Sequence, residues 1–169
     1  MTQRFRGTST HKVDGKGRVS IPADFRRVLD ASDPDRDPGT NARVHVLYGD
    51  TRNPWLTCYS VAAMQEMDAK IEMLPDGHPD REVLEDYFYT YVDTLTLDDS
   101  GRLVLSKSLR EQVGIQDEAT FASKGRTFRI LSPQVPEIAA NPLKSRLSEL
   151  PEGYAITRLL PQAPAADPS

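Results

Sequence analysis

One cysteine, Cys58, among 169 residues excludes an internal disulfide and fits the reducing cytoplasm. Long hydrophobic runs are missing too: no apolar stretch approaches the roughly 20 residues that a membrane helix requires. The opening Met1-Thr-Gln-Arg-Phe-Arg6 lacks the apolar core of a secretory signal. A cytoplasmic chain without a membrane partner is expected. Histidines are few, and His11, His45 and His78 lack the paired spacing of zinc ligands, so neither metal nor cofactor is expected. No cluster of nucleophile, base and orienting residue is visible, and no glycine-rich phosphate loop precedes a long helix. An enzyme with a small-molecule substrate is therefore not expected.

Positive charge is scarce overall but unevenly spread. The formal net charge is −4, which argues against a generally basic nucleic-acid coat. Residues 1–30 nevertheless hold Arg4, Arg6, Lys12, Lys16, Arg18, Arg26 and Arg27 against Asp14, Asp24 and Asp30, a net of +4 that leaves −8 for the remainder. Local cations on an acidic body turn one face toward phosphate while the other faces repel it.

What the chain does contain is an internal duplication. Val13-Asp-Gly-Lys-Gly-Arg-Val-Ser-Ile-Pro22 returns as Leu97-Asp-Asp-Ser-Gly-Arg-Leu-Val-Leu-Ser106, each copy reading Asp-x-x-Gly-Arg between apolar residues. Continuing the alignment sets Arg26 opposite Arg110, Phe25 opposite Leu109 and Leu29 opposite Val113. Two related halves in tandem are implied.

The local pattern predicts two short strands around the turn Gly15-Lys16-Gly17, then a helix with Phe25, Val28 and Leu29 on one face. Asp30–Thr40, with two prolines and no apolar periodicity, reads as a solvated loop. Val44–Tyr48 and Trp55–Tyr59 form a predicted hairpin. Ser60 caps a helix marked by Met64, Met67, Ile71 and Leu74. A second helix is expected from near Asp80, with Val83, Leu84, Tyr87, Phe88, Tyr91 and Val92 as a core stripe. The second half repeats the plan: strand and loop through Asp98 and Arg102, a helix capped by Ser106 or Ser108 and ended by Gly114, then a hairpin around Lys124-Gly-Arg126. A last helix is expected from Asn141, with Pro142 in its first turn and Leu143, Leu147 and Leu150 on one face.

Phe5-Arg-Gly7, Val13-Asp-Gly-Lys-Gly-Arg-Val-Ser-Ile-Pro-Ala-Asp-Phe-Arg26, Leu97-Asp-Asp-Ser-Gly-Arg-Leu103 and Leu109-Arg110 together resemble the MraZ family, transcriptional regulators with two tandem motifs of the AbrB/SpoVT kind. The resemblance spans most of residues 4–150. It implies a mostly β, α+β fold in which tandem swapped-hairpin AbrB-like repeats form a shared β-barrel with added amphipathic helices. It further implies ring-like homo-oligomers on double-stranded DNA with repeated promoter elements, at the division and cell-wall gene cluster that includes the regulator's own gene. The chain departs from the family pattern at Ser106, which stands where the first copy has Pro22, at the more basic Lys124–Arg129 segment, and in the longer stretch 30–42. The expected divisions are a first repeat at 1–60, a linking helical segment at 61–84, a second repeat at 85–132, a helical extension at 133–160 and a disordered tail at 161–169.

The first loop has the chemistry of a DNA reader. Gly15 and Gly17 allow close backbone approach, and Lys16 and Arg18 present cations; arginine forks onto guanine or clamps phosphate. Arg4, Arg6 and Lys12 are expected to widen this face. Asp14 orients Arg18, or the pair holds the loop or a subunit contact. In the second loop Asp99 and Ser100 replace Gly15 and Lys16, so Asp98 and Arg102 are read as structural or subunit-contact residues. Arg26 and Arg110 are either working cations or packing residues bonded to carbonyls. The whole reads as a sequence-specific repressor of the nucleoid; the alternative is a protein-interaction or antitoxin-like module whose basic loop binds an acidic partner.

Overall fold

Strands alternate with short helices in the order β1 (Thr8–Lys12), β2 (Arg18–Ser20), α1 (Ala23–Ala31), β3 (Arg43–Leu47), β4 (Trp55–Ser60), α2 (Val61–Glu72) and α3 (Pro79–Glu85). A π-helical turn (Asp86–Thr90) leads into β5 (Val92–Thr96), β6 (Arg102–Val104), α4 (Lys107–Gln112), β7 (Glu118–Lys124) and β8 (Thr127–Leu131). The computed structural model describes residues 3–162 and divides after Val135 into two units.

The duplication is legible in how the strands pair. The main sheet runs β1-β7-β8-β4-β3-β5, and β2 pairs with β6 in a separate ribbon. The first strand of each half is exchanged: β1 pairs with β7 of the second half, and β5 pairs with β3 of the first, while the hairpins β3–β4 and β7–β8 stay within their own halves. All ladders are antiparallel, with His45 opposite Thr94 and His11 opposite Ala119. The architecture is mostly sheet with short helices, as the α+β reading expects. Among the described residues the sheet is open, with β1 and β5 at its edges, and no closed barrel forms, because β2 and β6 pair with each other instead of joining those edges.

Period-two alternation turns one side of each strand into the core. Val44 and Val46, Leu56 and Cys58, Phe121, and Phe128 and Ile130 are wholly buried on four neighbouring strands. Helix α1 adds Phe25, Val28 and Leu29, and α4 adds Leu109, so both halves share one core. Phe5 and Phe25 meet edge-on at 5.3 Å, and Phe5 and Phe128 at 4.9 Å. Burial pushes the Cys58 thiol well above its ordinary range, as befits a small packing residue. A second cluster of Leu47, Met64, Ile71 and Phe88 packs α2 and the π-helical turn together. The Ser60 hydroxyl caps α2 by accepting the Ala63 amide at 3.1 Å, and Ser106, not Ser108, caps α4 through the Leu109 amide at 3.2 Å.

One expectation about the helices is corrected, and one about a loop is refined. The helix predicted from Asp80 ends at Glu85, and Val92 lies instead in β5, opposite Leu47. The apolar stripe accordingly splits: Phe88 is core, while Val83 and Tyr91 are exposed. The solvated loop of 30–40 is organised around Asp33, which is fully buried. Its carboxylate accepts from the Arg43 amide at 3.1 Å, from Nε at 3.0 Å and from Nη2 at 2.8 Å. Arg36 adds bonds to the Asp30, Asp33 and Thr40 carbonyls. Most of the stretch faces solvent, as expected; what its composition conceals is this one buried carboxylate, which takes its hydrogen bonds from Arg43.

The second unit contains α5 (Glu137–Ala140), α6 (Pro142–Glu149) and a 3-10 turn (Ile156–Leu159). Asn141 caps α6 through the Leu143 amide at 3.1 Å, and Leu143 and Leu147 stay exposed. Of the tail expected to be disordered, residues 163–169 lie outside the described residues.

Candidate nucleic-acid interface

The first loop is built on one carboxylate. Asp14 Oδ1 accepts from the backbone amides of Lys16 at 3.0 Å and Arg18 at 2.9 Å, and Oδ2 accepts from Arg18 Nε at 2.6 Å. The backbone closes with Gly17 N donating to the Asp14 carbonyl at 3.0 Å and Asp14 N to the Arg18 carbonyl at 3.1 Å. Gly17 has φ +84°, a conformation that suits glycine. Aspartate is suited to this position because its short side chain reaches amides two residues onward.

The second loop repeats this network bond for bond. Asp98 Oδ1 accepts from the amides of Ser100 and Arg102, both at 2.9 Å, and Oδ2 accepts from Arg102 Nε at 2.9 Å. In both loops the carboxyl is held below the ordinary aspartate range, first by the arginine amide and opposed by burial, then by the guanidinium and the second amide. Charge separates the copies. The first loop exposes Lys16; the second carries Asp99, whose Oδ1 accepts from Asn41 Nδ2 at 2.8 Å.

Each loop is braced by the other half. Leu105 N donates to the Gly17 carbonyl at 2.8 Å, and Ile21 N donates to the Gly101 carbonyl at 3.0 Å. Arg110 lies over Gly17 and bonds through Nε to the Leu105 carbonyl at 3.1 Å. Arg26 lies over Gly101, with its Nε buried and without a hydrogen-bond partner. Lys107 and Arg110 of α4 line a cleft with Asp14 and Gly15.

Comparison with known proteins places this chain in a family. A family model described as "MraZ protein, putative antitoxin-like" matches residues 4–34. The protein named Transcriptional regulator MraZ from Ruegeria pomeroyi is 46% identical over 157 residues, covering 91% of this chain and 93% of that protein. Its namesake from Ruegeria sp. (strain TM1040) is 45% identical over 155 residues, with 91% and 93% covered. A third, from Cereibacter sphaeroides (strain KD131), is 39% identical over 149 residues, with 83% and 88% covered. The chain belongs to the MraZ family.

In this MraZ-family chain the fold gathers only part of the cationic set read from the sequence. Asp14, Lys16 and Arg18 share the first loop, and exposed Lys12 ends the strand leading into it. Arg110 joins them from the other half, whereas Arg26 serves the second loop with Asp98 and Arg102. Arg4 and Arg6 stand at the opposite end of β1, beside the β7–β8 turn, and do not widen the first loop's face. Lys107, an exposed cation beside that loop, was not legible, because its proximity depends on the halves exchanging strands. Among the described residues no helix is long and apolar enough to cross a membrane.

Proposed function

We propose that the chain is a sequence-specific DNA-binding transcriptional regulator, a repressor that reads repeated promoter elements as a ring-like homo-oligomer. Arg18 and Lys16 of the first loop contact the duplex, Lys12 flanks them, and Asp14 positions Arg18. Asp98 and Arg102 hold the second loop in shape for subunit contact, and Arg26 and Arg110 brace the loops. The observation that carries this reading is the Asp14–Arg18 bond. With Nε engaged by Asp14, the two terminal guanidinium nitrogens are left to fork onto guanine O6 and N7 or onto phosphate. The relatives' shared name, Transcriptional regulator MraZ, supports the same class of function.

One loop with a few cations binds weakly at physiological salt, and several on one particle raise avidity by orders of magnitude. We read the exchange of β1 and β5 between halves as the swapped-hairpin arrangement of AbrB-like proteins, and the targets as the division and cell-wall cluster with the regulator's own gene. The site of action is the nucleoid. No catalytic step is assigned to any residue.

The test is a gel shift with the DNA upstream of the chain's own gene. Wild-type protein retards that duplex in preference to a scrambled one, and folded Arg18→Ala does not. The rival reading, a protein-interaction module as in the family description's word "antitoxin-like", requires no sequence-dependent retardation. Retention of the preference by Arg18→Ala removes the first loop from the site.

A further inference from the structure

The β7–β8 turn carries Lys124-Gly125-Arg126, and the fold lays the opening residues across it. Phe5 N donates to the Gly125 carbonyl at 2.7 Å, and Ser123 N donates to the Gly7 carbonyl at 3.1 Å. The pair Thr8↔Ala122 and the bridge Phe5↔Gly125 bracket Arg6 opposite Lys124. One step beyond, the same register sets Arg4 opposite Arg126. Gly125, at φ +75°, closes the turn, and the Arg4 stem passes 3.6 Å from where its Cβ would stand. Arg129 stands farther along β8, its guanidinium 3.9 Å from the Trp55 ring centroid.

Four cations, Arg4, Arg6, Lys124 and Arg126, thus collect at one hairpin end. Glu66 of α2 pairs with Arg126. Burial, and secondarily the charge of Arg129, hold the Lys124 ammonium below its usual range. Like charges pressed together in this way are relieved by an arriving anion.

We propose that this hairpin end is a second nucleic-acid contact, a phosphate-binding site that grips the backbone of the duplex read by the first loop. The proposal rests on the DNA reading above and adds a site to it. Arg6 and Lys12 flank β1 at its two ends, roughly 20 Å apart at about 3.3 Å per residue. A small anion occupies one end only, whereas a duplex, with a charge about every 1.7 Å along its axis, reaches both. Because the rest of the chain is acidic, the polyanion is held at these two places and turned away elsewhere. Backbone contacts fix register and carry no sequence information, so the two ends divide the work: Arg18 discriminates and the hairpin end anchors.

The test uses the full chain with Arg6→Gln and Lys124→Gln combined, both exposed positions. Binding to the upstream duplex and to a scrambled duplex of equal length is measured by fluorescence anisotropy across about 50–200 mM salt. The double variant is expected to bind both duplexes more weakly by the same factor and to lose about 1.8 from the salt slope, about 0.9 per phosphate contact. The preference ratio stays at the wild-type value, whereas Arg18→Ala abolishes it. Lys124→Gln alone gives half the slope change and serves if the double variant fails to fold. An unchanged slope in a folded variant overturns the hairpin site and leaves the loop reading intact. Equal wild-type affinity for both duplexes, with the slope still reduced in the double variant, overturns sequence reading and upholds the hairpin site. Wild-type protein that binds neither duplex overturns both. Capture of polyglutamate by wild type and not by the double variant, with the DNA slope unchanged, assigns the patch to an acidic protein and overturns the nucleic-acid proposal.

Discussion

Arg110 closes over Gly17 across the boundary between the two halves: its Nε lies 3.1 Å from where a Gly17 Cβ would stand and bonds to the Leu105 carbonyl at 3.1 Å. Arg26 and Gly101 repeat the relationship in the other direction, with Arg26 Cδ 2.5 Å from the corresponding point. Each Asp-x-x-Gly-Arg loop is therefore finished by the helix of its opposite number. Neither loop takes its shape from its own half alone.

Gly17→Ala is expected to be strongly destabilising. The new methyl overlaps the Leu105 carbonyl, and the φ of +84° is unfavourable for any residue with a Cβ. The left-handed conformation costs roughly 1–2 kcal/mol and the overlap roughly 1–3 more. Gly15→Ala meets nothing within 4 Å and is expected to stay within about 0.5 kcal/mol. Urea melts of the two variants check the contrast, and equal losses would refute the close-approach account.

The two bracing arginines differ in their expected cost. Arg110→Met strips the Leu105 carbonyl of its guanidinium bond, at roughly 1–3 kcal/mol for an acceptor left unsatisfied. Arg26→Met removes a buried Nε that already lacks a partner while retaining a stem over Gly101, so its cost is lower, at most about 1 kcal/mol. Thermal unfolding ranks the pair. A larger loss for Arg26→Met would contradict the assignment.

Much of this architecture is legible in the residues, and the illegible parts share a cause. The repeated Asp-x-x-Gly-Arg, the alternation Val44/Val46 and Leu56/Cys58, and the caps at Ser60 and Ser106 are local signals, and the structure holds each of them. The approach of Arg4 to Gly125, of Arg6 to Lys124, of Lys107 to Gly15, and of Arg110 to Gly17 depends on the exchanged strands. Sequence adjacency places Arg6 with Lys12, whereas strand length separates them. Asp33 was hidden for a related reason: a buried carboxylate inside a run of aspartates and prolines has no period to mark it, and Arg43, its partner, lies ten residues on.

Asp14→Asn separates turn geometry from guanidinium control. Asparagine keeps an oxygen for the Lys16 and Arg18 amides, so the fold is expected to melt within about 3 °C of wild type. The charge-assisted bond to Arg18 Nε is lost, and with it about 1 kcal/mol of positioning, or roughly a fivefold fall in the preference for the upstream duplex. Salt dependence separates this from a change in overall charge: discrimination falls while the count of phosphate contacts, and hence the slope, is preserved. A reduced slope with intact preference would show that Asp14 acts on the loop's field and not on Arg18.

Acid stability reports on Asp33. The hydrogen bonds from the Arg43 side chain, opposed by burial, hold this carboxyl below the usual aspartate range. The unfolded chain therefore takes up the proton more readily than the folded one, so the contribution is complete above the unfolded value of about 3.9 and is lost as pH falls below it toward the folded value. Asp33→Asn is expected to cost roughly 2–3 kcal/mol near neutral pH, the worth of hydrogen bonds to a buried charged group, because the Arg43 guanidinium loses its carboxylate. Below about pH 4 the wild type forfeits the same contribution, and the stability gap between the two proteins narrows. Urea melts at neutral pH and near pH 3 measure it directly. A gap of equal size at both would mean that the asparagine disrupts packing of the 30–42 loop and that the carboxylate charge contributes nothing to holding it.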